Sequence, residues 1–90
     1  MRVTIRGKRW NLIFTNHLAP TDDGKCDAPE LPGKEIRIRP NLPPKRALEV
    51  LIHEIFHAAN FDLSEDTVTQ AAEDATTILW KLGYRRELED

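Results

Sequence analysis

Apolar and polar residues alternate from the first residues of the chain. Val3 and Ile5, then Trp10, Leu12 and Phe14, fall on one side, and Arg2, Arg6 and Arg9 fall on the other. This period of two predicts a β-hairpin, Val3 to Arg6 and Arg9 to Phe14. Gly7-Lys8 suits a two-residue II′ turn with glycine first, a register that pairs Ile5 with Trp10 and Val3 with Leu12. Glu35-Ile36-Arg37-Ile38-Arg39 alternates in the same way and predicts a third strand, stopped by Pro40. Between them, Thr15 to Lys34 holds Pro20, Asp22-Asp23-Gly24, Pro29 and Pro32-Gly33, which are turn signals, and reads as one long loop.

From Asn41 the period changes. Asn41 can cap a helix, and Pro43-Pro44 is tolerated in a first turn. Apolar residues then surround the axis from Ala47 to Ala59, which predicts a buried helix ending near Asn60 to Asp62. Ser64 can cap a second helix that runs to about Leu82, with Gly83 as its stop. Its apolar stripe is Val68, Ala71, Ala72, Ala75, Leu79 and Leu82. The short link makes the two helices antiparallel neighbours. The expected fold is therefore α+β, with a small N-terminal antiparallel sheet of about three strands packed on two antiparallel helices. Residues 1–90 read as a single domain, with no internal repeat.

The first helix carries the chemistry. His53-Glu54-Ile55-Phe56-His57 is an HExxH pattern, and positions i and i+4 of a helix share a face. The two imidazoles can grip one Zn²⁺, and Glu54 can act as general base on a water. A merely structural histidine pair is the plainer reading. It is disfavoured because imidazoles on a buried helix need partners. Zinc sites of this kind take a third protein ligand. Folding the second helix back on the first places that ligand at about residues 69–74, with Glu73 first and with Asp74 and Glu65 as alternatives. All three could equally be solvated helix-face carboxylates. Cys26, in the long loop, could reach the metal as a thiolate and hold the site latent, or simply be a half-buried free thiol.

Composition narrows the setting. The chain is 40% hydrophobic and 31% charged, with a net charge of −2. It has no apolar run of about 18 residues, which predicts no membrane span. A single cysteine, with no apolar leader after Met1, favours the cytoplasm. Residues 1–46 hold ten Lys/Arg against five Asp/Glu, and residues 47–90 hold three against ten. The basic half admits nucleic acid as a partner, although arginines on the wet faces of strands account for it equally well.

His53-Glu54-Ile55-Phe56-His57, followed by an acidic residue on a second helix, resembles a small gluzincin-type metallopeptidase. The chain is similar to the minimal single-domain HExxH proteins of phage and bacterial genomes and, more distantly, to the ImmA/IrrE-like peptidases. The resemblance also draws on Gly33 to Arg39, Leu48 to Glu54 and Leu79 to Arg85, about half the chain. It implies zinc held by His53, His57 and Glu73, with Glu54 activating water. The interval from His57 to Glu73 is shorter than in large gluzincins. The absence of an HExxHxxGxxH extension excludes the metzincin pattern. The expected function is zinc-dependent hydrolysis of a peptide or protein substrate, with Ile36 to Arg39 as an edge that pairs with an extended peptide. His17, Tyr84 and the arginines are the candidates to stabilise the oxyanion. The alternative is a non-catalytic zinc-stapled module that contacts protein or nucleic acid, in which Cys26 closes the metal shell.

Overall fold

The computed structural model describes residues 1–87. Its elements are β1 (Arg2–Ile5), β2 (Lys8–Phe14), β3 (Gly24–Cys26), β4 (Glu35–Ile38), α1 (Pro44–Ala59) and α2 (Glu65–Lys81). The architecture is α+β, as expected, and the sheet has four strands in the order β1-β2-β4-β3.

The hairpin turns at Arg6-Gly7 rather than Gly7-Lys8. Both residues have positive φ, 49° and 78°, the signature of a I′ turn, whose twist matches the flanking strands. Val3 therefore faces Trp10, and Ile5 faces Lys8. The register differs from the expected one by two residues, which preserves the side of every side chain. Arg6 tolerates its left-handed position and gains a partner there. Its Nη1 donates to the Ala59 carbonyl at 2.9 Å, one of the unsatisfied acceptors at the end of α1.

The sheet is mixed, not antiparallel. β2 pairs with β4 in parallel, Leu12 opposite Ile36 and Phe14 opposite Ile38. β3 pairs antiparallel with β4, Cys26 opposite Ile36 and Gly24 opposite Ile38. The strand at Ile36 to Arg39, expected as an edge, is thus interior, and β3 forms the edge in its place. The loop from Thr15 returns along the far side of β4, which makes a parallel β2–β4 pair possible. Ile36 and Ile38 are each 1% exposed, because β4 is flanked on both sides and covered by α1.

Trp10, Ile36, Ile38, Val50 and Ala58 form the centre of the core, with Val3, Ile5, Leu12, Cys26, Leu42 and Leu51 packed around it. On α1 the buried positions are Val50, Glu54 and Ala58, four residues apart on one stripe toward the sheet. On α2 they are Val68, Ala72 and Thr76, the stripe that packs on α1. Leu82, expected in that stripe, lies past the helix end and is exposed. Pro43 and not Asn41 precedes α1, without a side-chain cap. Asn41 instead takes a left-handed turn conformation at φ 64°. Ser64 does cap α2, its Oγ accepting from the Thr67 N–H at 3.2 Å. The helix closes with the Gly83 N–H on Trp80 O and the Tyr84 N–H on Leu79 O, the paired bonds of a Schellman motif. Among the described residues no helix is long and apolar enough to cross a membrane.

Candidate metal centre

His53 and His57 lie one turn apart on α1, on the flank beside the buried stripe. Their rings are 4.8 Å apart and inclined at 67°, and their Nε2 atoms are separated by 3.1 Å. Glu65, the first residue of α2, closes the group. Its Oε1 is 2.9 Å from His53 Nε2, and its Oε2 is 2.9 Å from His57 Nε2. With zinc bonds of roughly 2.0–2.1 Å, neighbouring donors of a tetrahedral site lie about 3.3 Å apart. Two imidazole nitrogens and a carboxylate at 2.9–3.1 Å fit that requirement in both spacing and donor type. Among the described residues, His53, His57 and Glu65 form the group that could hold a metal ion.

Glu73, placed first from the sequence, is not in this group, and neither is Asp74; both side chains are exposed. The reason is the facing of α2. Glu65, Val68, Ala72 and Thr76 follow the 3–4 spacing of one face, the face turned to α1, whereas Glu73 lies a step of about 100° beyond Ala72. The Ser64 cap starts α2 directly after the link, so Glu65 meets the imidazoles at once. The recognisable cap and this spacing together were the signal for Glu65.

Glu54 is the one charged residue in the buried set, at 6% exposure. Among the described residues its carboxylate has no hydrogen-bond partner. Burial pushes its pKa up to about 7, with the negative charges of Glu65 and Asp22 adding to the effect. The carboxylate lies directly beneath β3. A Cβ on Gly24 would come within 2.8 Å of Glu54 Oε2 and 2.7 Å of Val50 Cγ1, so only glycine leaves room for this arrangement. In the sequence Gly24 reads as a turn residue, and nothing local distinguishes the two roles.

A cavity of about 310 Å³ opens over the group, lined by Gly24, Cys26, Glu54, Phe61 and the two histidines among others. The Cys26 thiol stands outside the donor group. Its Sγ–H donates to the Asp27 carbonyl at 3.4 Å. Burial raises the thiol to about 12, helped by Glu54 and Asp27, so it is a neutral thiol at ordinary pH. His17 and Tyr84 are exposed and line neither this cavity nor its neighbour.

The edge over the cavity is β3. Lys25 is paired with Arg37, Arg39 N–H donates to Asp23 O, and Asp27 N–H donates to Glu35 O. In an antiparallel ladder this alternation turns the peptide groups of Gly24 and Cys26 outward. Three of the ten cations of the basic half are internally neutralised. Arg37 pairs with Asp27 and Glu35, and Arg39 and Arg46 both pair with Asp23. No family model, curated protein or solved structure matches this chain.

Proposed function

We propose that the chain is a minimal HExxH zinc metallopeptidase that hydrolyses peptide bonds, with His53, His57 and Glu65 as metal ligands and Glu54 as general base. The observation that carries this reading is the convergence of two imidazole nitrogens, 3.1 Å apart, on the two oxygens of one carboxylate, each 2.9 Å from its nitrogen, beside the carboxylate of Glu54, which has no partner among the described residues. Zn²⁺, when bound, supplies Lewis acidity and lowers the pKa of a water at a position the protein leaves open. Glu54 accepts the proton of the attacking water and returns it to the leaving amine. Gly24 sets its position at the wall of the cavity. The outward peptide groups of Gly24 and Cys26 offer hydrogen bonds to an extended substrate laid along β3, the role first expected of Ile36 to Arg39. A zinc-stapled module with a closed shell would need Cys26 as a fourth ligand, and the position of its thiol outside the donor group favours the open site. The lone cysteine accords with a cytoplasmic setting.

The test is cleavage of a mixed peptide library by the zinc-loaded chain, read by mass spectrometry. Cleavage should be abolished by Glu54→Gln with zinc content unchanged. Cleavage that survives this substitution, or a zinc-loaded chain that cuts nothing, overturns the proposal.

A further inference from the structure

A second cavity, of about 200 Å³, adjoins the first toward the N-terminal half of α1. It shares Gly24, His53, Glu54 and Glu65 with the metal centre and adds Asp22, Asp23 and Arg46. Its charges do not balance. Arg46, the only cation among its described lining residues, is committed to Asp23, at 3.1 Å, and to Glu49. The Asp22 carboxylate makes no hydrogen bond or ion pair among the described residues. The backbone carbonyl of Asp22 is nevertheless held by Arg39 Nε at 3.1 Å and Nη2 at 2.7 Å, which fixes the residue at the cavity rim. Glu54, more than nine-tenths buried, also faces the cavity without a partner. Carboxylates brought together without counter-charge are costly unless something positive completes them. A metal on His53, His57 and Glu65 leaves Asp22 unanswered, because Asp22 stands outside that donor group.

We propose that this cavity takes a cationic nitrogen of the substrate, with Asp22 as the carboxylate that selects it. The inference rests on the peptidase reading and names its substrate class: peptides carrying a positive charge beside the scissile bond. The charge can be a free N-terminal ammonium or a basic side chain, both of which present N–H donors to carboxylates.

The zinc-loaded chain is titrated by calorimetry with three metal-binding probes. N-acetylnorleucine hydroxamate is neutral, norleucine hydroxamate adds an α-ammonium, and N-acetyllysine hydroxamate adds a side-chain ammonium. One cationic probe should bind about five-fold tighter than the neutral one, the scale of a partly exposed charge pair, and which probe gains identifies the source. Asp22→Asn should erase the gain while leaving zinc content and the neutral probe's affinity unchanged. Equal binding of all three, or a gain that survives Asp22→Asn, overturns the inference and leaves the peptidase reading intact. Failure of even the neutral probe to bind removes the metal centre, and the inference with it. A charge preference in a chain that cleaves no peptide retains the cationic site and sinks only the hydrolytic reading.

Discussion

Glu54→Gln should make the metal-free chain more stable at pH 8, although it removes the proposed general base. Glu54 is 6% exposed, and its pKa is raised from 4.5 to about 7, first by burial and then by Glu65 and Asp22. In the unfolded chain the same carboxyl titrates near its ordinary value. Between these values the folded state binds more protons than the unfolded one, so stability falls as pH rises. The contribution is whole below about pH 4.5 and lost above about pH 7. The full difference corresponds to about 3 kcal/mol, an upper bound because the carboxylate opens onto solvent-accessible cavities. Glutamine keeps the shape and carries no charge, so the variant escapes the loss. At about 4–8 °C per kcal/mol for a domain of this size, the gain in Tm at pH 8 is at most ~12–24 °C. Chelated samples of both proteins should be melted by circular dichroism from pH 5 to 8. The gap should be small at pH 5 and widen toward pH 8. A gap that ignores pH, or a variant less stable than its parent at pH 8, refutes the assignment of Glu54 as a buried, uncompensated carboxylate.

Glu65→Ala should weaken zinc binding at least about ten-fold in a competition assay with a chromogenic chelator, while Glu73→Ala leaves it unchanged; the reverse ranking restores Glu73 as ligand. Gly24→Ala puts a methyl 2.8 Å from Glu54 Oε2 and should cost about 1–3 kcal/mol in urea unfolding, with a matching loss of peptide cleavage at unchanged zinc content; an unperturbed variant means that β3 does not press on Glu54. Ser64→Ala removes the cap of α2 and should lower stability by about 1 kcal/mol. Because the same cap orients Glu65, this variant should weaken zinc binding as well, which an affinity equal to that of the parent chain would contradict.

The helices were legible because their signals are local. Ser64 sits where a side-chain oxygen meets the N–H of Thr67, and Gly83 ends α2 in the left-handed conformation, both written in residue type and spacing. His53 and His57 share a face by helix geometry alone. The hairpin kept its sides, although its turn moved from Gly7-Lys8 to Arg6-Gly7, because a two-residue slip leaves alternation intact. What settled the turn was distant: Arg6 meets the end of α1 at Ala59. The sheet order was not legible. Gly24-Lys25-Cys26 is too short to show alternation, and Ile36 and Ile38 look the same in an edge strand as in one with neighbours on both sides. The third donor of the proposed centre turned on which α2 face meets α1. The acidic residues at 65, 73 and 74 are alike as residue types, and only the packing of Val68, Ala72 and Thr76 separates them. Gly24 and Asp22 were hidden for the same reason, since their importance lies in what α1 places opposite them.

In the proposed centre two imidazoles and the Glu65 carboxylate hold one ion. X-ray absorption at the zinc edge, on protein loaded to measured stoichiometry, tests it most directly. The expected result is one zinc per chain, with two imidazole nitrogens and oxygen neighbours at roughly 2.0–2.2 Å and no sulfur, and loss of one imidazole in His57→Ala. A sulfur neighbour at about 2.3 Å would place Cys26 in the shell, and a chain that retains no zinc would remove the metal centre altogether.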